Sequence, residues 1–367
     1  MKDLAYLNKF FLKCRWYLIP GILFVIISNI FNVLVAPVIR IALDLVTENI
    51  GVYQLFSGFN KQDVIYEIFG SSLLLFGTLV LVLALLKGLF MFFMRQTLIL
   101  MSRHIEYDLK NEIYNHYQAL SLAFYRRHNT GDLMNRVTED VNRVRSYLGP
   151  GIMYTINTVV VFILVIYFML TVNVRLAIFS VLPLPILAVL IYYVNNVINF
   201  RSEKIQERLS FLSSFVQENF SGIRIMKSYV REGSVRKKFA IESEDYKTHS
   251  MALVKVQASF YPIMVLLVGL SNVITIYIGG LEVMKGTITP GNIAEFIVYL
   301  NMLTFPVMAL GQVTSLIQRA AASQKRINEF LDQQPEIISP DVAKRTISGL
   351  IEFKDVSFIY PDTGIQA

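Results

Sequence analysis

The chain has 367 residues, of which 54% are hydrophobic and 17% are charged, and its formal net charge is +7. Charged residues make up about a quarter of an ordinary soluble domain, so this composition is typical of a membrane protein. The single cysteine, Cys14, excludes a disulfide framework within the chain and a multi-cysteine metal site. No two of the four histidines have the spacing of zinc ligands. We therefore predict no metal site and no catalytic residue in this chain.

Six apolar stretches are long enough to cross a bilayer as helices, which takes about 20 residues each. They are residues 17–39, 71–94, 152–172, 176–194, 256–281 and 293–318. Two charged residues, Lys87 and Glu295, fall inside these stretches. We predict that both lie near a membrane interface, with the stem of Lys87 extended towards the headgroups. Ion-coupled carriers usually place acids at mid-membrane, and the absence of such acids predicts a different energy source for any transport.

The basic residues predict the orientation of the spans. Of the 34 Lys and Arg residues, 29 lie in residues 1–16, 95–150, 195–255 and 319–367. Basic residues favour the cytoplasmic side, so we predict a multi-pass protein of the inner (plasma) membrane with both termini in the cytoplasm. Because this rule accounts for the net charge, and no basic stretch is interleaved with aromatic residues, we predict no nucleic-acid partner.

The two long connections, 95–150 and 195–255, are predicted to be helical. Three runs in or beside them contain no Gly or Pro: Leu89 to Thr130, Ile186 to Ser221 and Ser234 to Tyr261. Such runs with repeating apolar residues indicate helix. One helix from Ser71 to Tyr125 would be about 80 Å long, whereas the hydrocarbon core is about 30 Å thick.

Each connection is therefore predicted to be a helical hairpin that projects from the membrane. Oppositely charged pairs four residues apart, such as Asp132 and Arg136, support a helix after the first turn. The turns are predicted near residues 124–131 and 217–222. A helix end is predicted at Gly149-Pro150-Gly151, just before the third span.

Four segments, in the right order, resemble one family. The stretch SLAFYRRHNTGDLMNRVTEDVNRV (121–144) resembles the first intracellular loop of ABC exporters, and QENFSGIRIMKSYVREGSVRKKF (217–239) is similar to the second. Residues 287–312 resemble the sixth span of these exporters, and RAAASQKRINEFLD resembles the segment that follows it. The motif positions are Phe124, Tyr125, Gly131, Leu133, Asn135, Arg136, Asp140 and Val141 in the first loop, Gly222, Ile223, Ile225, Lys227, Tyr229 and Glu232 in the second, and Gly291, Pro306 and Leu310 in the sixth span.

The resemblance implies an all-α membrane fold of the type 1 ABC exporter, with six spans and long cytoplasmic helical extensions. It also implies that the loop tips contact a nucleotide-binding domain and that a second half-transporter, like or unlike, completes the cavity. The implied coupling residues are Phe124, Tyr125, Arg126, Arg127 and His128 in the first loop and Gln217, Glu218, Asn219, Phe220, Ser221 and Gly222 in the second. Within the family, half-transporters of the multidrug and lipid type are the nearest resemblance.

The apolar residues of IEFKDVSFIY (351–360) alternate, which predicts a strand. The resemblance implies that this is the first strand of an α/β ATP-binding domain. The resemblance implies that Tyr360 stacks on the adenine of ATP. No G-x-x-x-x-G-K-[ST] loop, which holds the phosphates beside Mg²⁺, occurs in the sequence. We therefore expect that the chain is part of a longer protein and does not hydrolyse ATP by itself. The predicted divisions are a cytoplasmic segment (1–16), a transmembrane domain (17–318), a helical linker (319–348) and an incomplete nucleotide-binding domain (349–367).

Polar side chains within the spans are candidates for a substrate cavity, or for hydrogen bonds between helices. They include Asn272 and Gln312, and the predicted cavity set is Asn29, Asn32, Asn157, Asn301, Phe305 and Met308, of which the last three share one helix face. The function that the resemblance implies is ATP-driven export of small amphipathic compounds, either drugs or lipids, by alternating access. The alternatives are a non-pumping channel or regulatory membrane scaffold, and a peptide exporter.

Overall fold

The computed structural model describes residues 2–55, 62–335, 349–359 and 364–366. In this part of the chain, residues up to 331 are almost entirely helical. Six helical segments are long and apolar enough to cross a membrane. The predicted all-α membrane fold with six spans is therefore confirmed.

The first two spans pack against each other over their length. A 3₁₀ turn (Lys2–Leu7) and α1 (Asn8–Lys13) precede α2 (Arg15–Val33) and α3 (Val35–Leu55), which together carry the first span. The second span lies in α4 (Gln62–Ala119), a helix of 58 residues. At 1.5 Å per residue α4 is about 87 Å long, nearly three times the thickness of the hydrocarbon core.

The part of α4 beyond the membrane has its own buried face. Leu98, Met101, Ile105, Leu109 and Ile113 recur every three or four residues and have no exposed surface. They form a core with α1, α2 and the helices that return from the first connection. This helical spacing, continued beyond the predicted membrane boundary at residue 94, is the pattern of a packed soluble helix.

The chain returns to the membrane through α5 (Leu122–Arg127), α6 (Thr130–Asn135), α7 (Val141–Ser146) and α8 (Ile152–Val172). Two π turns, Arg136–Asp140 and Tyr147–Gly151, join α6 to α7 and α7 to α8. The prediction that the helix ends at Gly149-Pro150-Gly151 is therefore wrong. A widened π turn contains Pro150, whose missing N–H would interrupt a regular α-helix.

Gly149 has a packing role in that turn rather than a helix-ending role. A Cβ atom at this position would lie 2.7 Å from the Ser102 Oγ on α4. The glycine therefore permits close approach of the two helices.

The second projecting hairpin is formed by α10 (Pro183–Ser221) and α12 (Glu232–Met284), with α11 (Ile223–Ser228) at its tip. The fourth span begins with α9 (Val174–Val181), whose first turn is capped by the Asn173 side chain. The contacts between α10 and α12 include an ion pair and a hydrogen bond. Arg208 pairs with Asp245 at 3.1 Å, and the Arg201 guanidinium donates to the Ala252 carbonyl at 2.7 Å.

The last helix, α13 (Pro290–Leu331), connects the two buried cores of the molecule. Thr289 and Asn292 form a capping box at its start. Phe296 and Tyr299 belong to the core at this end, and Ile327 and Phe330 belong to the core around α4. Because α13 is unbroken at residue 318, the first residues of the predicted linker continue the sixth span.

The described residues near the C-terminus form one antiparallel bridge, between Ile359 and Gln366. The predicted strand over residues 351–360 is not confirmed by this bridge and stays a prediction. Tyr360 lies outside the described residues.

Candidate functional site

The first loop has a short helix at its tip. The chain leaves α4 at Ala119, forms α5, and becomes extended at His128 and Asn129 before α6 begins. The Asn129 side chain accepts a hydrogen bond from the Gly131 amide at 2.8 Å, which satisfies a free N–H of the first turn of α6. The predicted turn at residues 124–131 thus contains the end of α5 and the cap of α6, and α4 ends six residues before Tyr125.

Two aromatic residues of α5 contact neighbouring parts of the tip and the end of α4. Phe124 stacks on His128 with ring centroids 4.1 Å apart, and the Tyr125 hydroxyl donates to the Tyr117 carbonyl. Tyr117 in turn donates to the Leu133 carbonyl at 2.7 Å. Partial burial raises the pKa of the Tyr125 hydroxyl, so it stays protonated as a donor. Arg126 and Arg127 lie on the exposed side of the tip.

The second tip lies slightly later in the chain than predicted. Residues 217–221 form the last turn of α10, Gly222 ends that helix, and α11 follows. Val230 adopts a positive φ of 51° just before α12. The turn begins at Gly222 because it is the first helix breaker, so the range 217–222 placed it about one helical turn too early.

The surface of the second tip is apolar. Phe220, Ile225, Tyr229 and Val230 are each more than two-thirds exposed. Asn219 donates to the Phe215 carbonyl of its own helix at 2.6 Å. An exposed group of large apolar side chains at the end of a helical hairpin is typical of a surface that contacts another protein domain.

The base of α13 is fixed to the first loop. We call Ser323, Arg326, Ile327 and Phe330 the α13 base; these residues lie on one helix face and follow the sixth span. Phe330 is fully buried, and its ring centroid lies 4.4 Å from that of Tyr117. His116 and Phe124 pack on other sides of the same ring, and the Arg136 guanidinium lies 5.7 Å from its centre.

An ion pair between a buried carboxylate and a half-exposed guanidinium reinforces this contact. Asp140 has a 1% exposed side chain, accepts a hydrogen bond from the Ser323 Oγ at 2.8 Å, and pairs with the Arg326 guanidinium. The α13 base therefore contacts both Arg136 and Asp140 of the first-loop motif. Sequence reasoning identified these two motif residues but not their partners on α13, although Ser323, Arg326 and Phe330 have the spacing of one helix face.

Within the spans, three of the predicted cavity residues are already hydrogen bonded to another helix. The Asn29 amide donates to the Asn157 Oδ1 at 2.9 Å, and Asn32 accepts from the Lys87 Nζ at 2.8 Å. Asn32 is a partner for Lys87 that sequence reasoning did not find, and the position of Lys87 relative to a membrane interface stays a prediction. Hydrogen bonding between helices is the role that the geometry supports for these groups.

The face of the sixth span that was predicted to contact substrate is partly exposed in the single chain. Asn301 is exposed, and Phe305 has 62% of its surface exposed. The Met308 side chain lies outside what the structure describes. Gln312 is also exposed, whereas the Asn272 Oδ1 is buried without a hydrogen-bond partner among the described residues. Substrate contact by this face stays a prediction.

The other end of α13 is joined to the first span. The Asp44 carboxylate accepts from the Gly291 amide at 2.8 Å and from the Thr289 hydroxyl at 2.7 Å. Glu295, 1% exposed, lies 3.5 Å from the Arg40 guanidinium and accepts from the Tyr299 hydroxyl at 3.0 Å. Glu295 is thus buried in a paired polar cluster, a contact between the first and sixth spans that sequence reasoning did not find.

A match to a protein-family model assigns the chain to a family. The model of the ABC transporter transmembrane region matches residues 18–307. The chain belongs to this family. The resemblance found in the loop motifs and the sixth span is thereby confirmed.

Curated relatives agree with this assignment. The chain is 29% identical over 295 residues to the multidrug resistance-like ATP-binding protein MdlA of Escherichia coli (strain K12), covering 80% of this chain and 50% of that protein. It is 28% identical over 288 residues to the ATP-dependent lipid A-core flippase of Syntrophus aciditrophicus (strain SB), covering 78% and 48%. It is 30% identical over 262 residues to the probable multidrug resistance ABC transporter ATP-binding/permease protein YheI of Bacillus subtilis (strain 168), covering 71% and 45%.

The chain of this ABC family member spans about half the length of these relatives, and its family match lies in the membrane region. Tyr360, the candidate for ATP contact, lies outside the described residues. Among the described residues, no group of three or more His, Cys, Asp or Glu side chains is placed to hold a metal ion.

Proposed function

We propose that this chain is the membrane half of an ATP-driven ABC exporter that moves amphipathic drugs or lipids out of the cytoplasm or the inner leaflet. The observation that carries the proposal is the packing contact between the α13 base and the first loop. Through it, the first projecting hairpin and the continuation of the sixth span to Leu331 share one buried core. Family membership supports the reaction class, and the relatives named above are described as multidrug-resistance proteins and a lipid flippase.

The projecting hairpins act as levers in this proposal. We infer that a nucleotide-binding domain contacts Phe124 to His128 at one tip and Gln217 to Gly222, together with α11, at the other. A stiff helix transmits a displacement along its length because each residue is fixed by its backbone hydrogen bonds. Movement of the tips would tilt the spans and switch the cavity from inward- to outward-facing as a rigid-body change.

The energy source is proposed to be ATP with Mg²⁺. The sequence contains no phosphate-binding loop, so its residues do not fit the phosphates or the metal. Tyr360 would supply a stacking face for the adenine, and a nucleotide-binding domain would hold the rest. The chain's own contribution is to receive the movement of that domain at the two tips.

The assembly is proposed to contain a second half-transporter, identical or related, in the inner membrane, with both termini in the cytoplasm. The positive residues of the projecting hairpins support this orientation. We infer that Asn301 and Phe305 face the central cavity of this assembly. A cysteine at Asn301 is expected to react with a water-soluble maleimide in one state of the cycle and less in the other. Equal protection in every state would contradict this placement.

The direct test is transport by the protein joined to its nucleotide-binding domain, reconstituted in vesicles with a fluorescent amphiphile. We expect ATP-dependent movement of the amphiphile. Phe220→Ala should reduce transport several-fold while ATP hydrolysis continues, because Phe220 lies exposed at the tip. Phe200→Ala is the matched control, since Phe200 is 63% exposed on the same helix away from the tip.

Absence of ATP-dependent movement with all amphiphiles tested would contradict export. Passive, ATP-independent flux would favour the channel alternative. An equal loss of transport in both phenylalanine variants would contradict the role of the tip.

A further inference from the structure

A cavity of about 360 Å³ lies between α10 and α13, near the end of the fourth span that leads into the second hairpin and the end of the sixth span that leads to the α13 base. Its volume is within the range of small-ligand pockets. On α10, Ala188, Ile191 and Tyr192 form its apolar part. The polar part is formed by Asn195, Asn196 and Asn199 on α10 and by Thr314, Ser315 and Gln318 on α13.

The two polar walls follow from the helical register. Ile191, Asn195 and Asn199 are spaced by four residues, so they lie along one side of α10. Gly311, Ser315 and Gln318 lie along one side of α13 by the same rule. A Cβ at Gly311 would lie 1.9 Å from the Asn195 Nδ2, so the glycine allows the two walls to approach.

The amide groups of this cavity have unused hydrogen-bonding capacity. The side chains of Asn195, Asn196, Asn199 and Gln318 make no hydrogen bond to any described residue, and all four contribute to the lining. Asn29, in contrast, is bonded to another span. Each carboxamide offers both donors and acceptors, so the cavity suits a group that also does both. A hydroxyl is such a group.

The lining contains no charged side chain. An ionic headgroup would therefore meet no counter-charge among the lining residues, and it would lose hydration there without the compensation that a partner charge gives. The chemistry of the lining favours an uncharged headgroup that carries several hydroxyls.

The depth of the cavity matches that of a headgroup. Asn195 is six residues before Arg201, the first charged residue after the fourth span, which is about 9 Å along the helix. Gln318 directly precedes Arg319. The amides therefore lie where the apolar spans give way to charged helix, the depth of lipid headgroups, while Ala188 and Ile191 continue towards the hydrocarbon.

We propose that this cavity binds the uncharged, hydroxyl-rich headgroup of an amphiphile, of the glycosyl or glycerol kind, while the acyl tail stays in the bilayer. The inference rests on the proposed function, of which it specifies the substrate class. It places the first contact with the substrate between the fourth and sixth spans.

Photo-crosslinking tests this assignment without nucleotide, so its outcome is independent of the transport assay above. The protein in phosphatidylcholine nanodiscs is exposed to diazirine-bearing monoglucosyl diacylglycerol or to phosphatidylglycerol with the same acyl chains and diazirine. We expect about fivefold more labelling of the peptides that contain Tyr192 or Gln318 by the glucosyl lipid, the ratio that about one net hydrogen bond provides. Unlabelled glucosyl lipid should compete, and methyl glucoside at the same concentration should not.

Asn195→Leu/Asn199→Leu should abolish the preference, and Gln318→Leu, on the opposite wall, should reduce it. Gln257→Leu is the control, because Gln257 is an exposed amide on α12 outside the cavity lining. Monodisperse elution of each nanodisc preparation verifies folding.

Three results would overturn the proposal. The first is equal labelling by the two lipids, and the second is an unchanged preference in both cavity variants. The third is preferential labelling by phosphatidylglycerol that Lys87→Met removes, which would place headgroup recognition at the contact between the first and second spans.

Discussion

Replacing Arg326 by methionine is expected to lower the free energy of unfolding, because it leaves the buried Asp140 carboxylate without its charged partner. Asp140 has a 1% exposed side chain, and its described partners are Arg326 and the Ser323 hydroxyl. Arg326→Met keeps an apolar stem of similar length but leaves the carboxylate with the hydroxyl alone. Losing one partner of a fully buried ion pair costs about 3–5 kcal/mol.

That figure is an upper bound at this site. The Arg326 side chain is 47% exposed, so solvent already screens the pair and can reach part of the space the guanidinium leaves. We therefore expect a loss of about 1–3 kcal/mol. Asp140→Asn removes the charge and retains an acceptor for Ser323, so it should cost about 1 kcal/mol or less.

Thermal unfolding in detergent, followed at one fixed scan rate because membrane proteins often unfold irreversibly, measures these differences as shifts in apparent Tm. At about 2.1 cal/mol/K of unfolding entropy per residue, about 1 kcal/mol corresponds to roughly 1.3 °C for a chain of this size, so Arg326→Met should lower Tm by about 1–4 °C. The double variant Asp140→Asn/Arg326→Met should be more stable than Arg326→Met alone, because no unpaired carboxylate remains.

Lys325→Met is the matched control. Lys325 neighbours Arg326 but is 63% exposed, and it lies 3.8 Å from the exposed Glu329. Its replacement should change Tm little. If Arg326→Met were no more harmful than Lys325→Met, or if the two changes at the pair were simply additive, the charge pair would not be the contact that holds the α13 base.

Two further substitutions test other contacts of α13. Gly291→Ala should destabilise the protein by about 1–3 kcal/mol, since a Cβ there would lie 2.5 Å from the Asp44 Oδ1, whereas Gly280→Ala, in open space on α12, should be neutral or stabilising by thermal unfolding. Phe330→Ala should cost about 3–5 kcal/mol because its ring is fully buried, and Phe305→Ala, at an exposed position, should cost far less in the same assay. Equal effects within either pair would contradict the packing described.

The sequence predicted the six spans and both projecting hairpins because composition and the lack of helix breakers act locally. Apolar runs of about 20 residues have few alternatives to a membrane helix. Breaker-free runs such as 186–221 similarly have few alternatives to helix. The buried stripe from Leu98 to Ile113 could also have been predicted, because its apolar residues recur with helical spacing.

The errors and omissions arose where tertiary contacts override local signals. Gly149 and Pro150 are helix breakers in isolation, but close packing on Ser102 and a π turn accommodate them. The contact of Lys87 with Asn32 depends on which faces of two helices meet. Neither the π turn nor the Lys87–Asn32 contact can be predicted from the hydropathy of a single stretch.

For the same reason, the loop residues of the candidate site were predicted but their partners on other helices were not. The loop motif gave Arg136 and Asp140, but their partners on α13 are about 185 residues away in sequence and visible only once the chain is folded. The cavity between α10 and α13 was missed because Asn195 and Asn199 lie just past a predicted span end.

The central claim is that the hairpins transmit movement from a nucleotide-driven domain to the spans. It is tested most directly by spin labels at Phe220→Cys in the assembled transporter, in a background where Cys14 is replaced by serine. The distance between the two labels of a dimer would be measured without nucleotide and after trapping with ATP and vanadate. We expect the distance distribution to shift by several ångströms together with labelling of Asn301→Cys. An unchanged distance during active ATP hydrolysis and transport would contradict it.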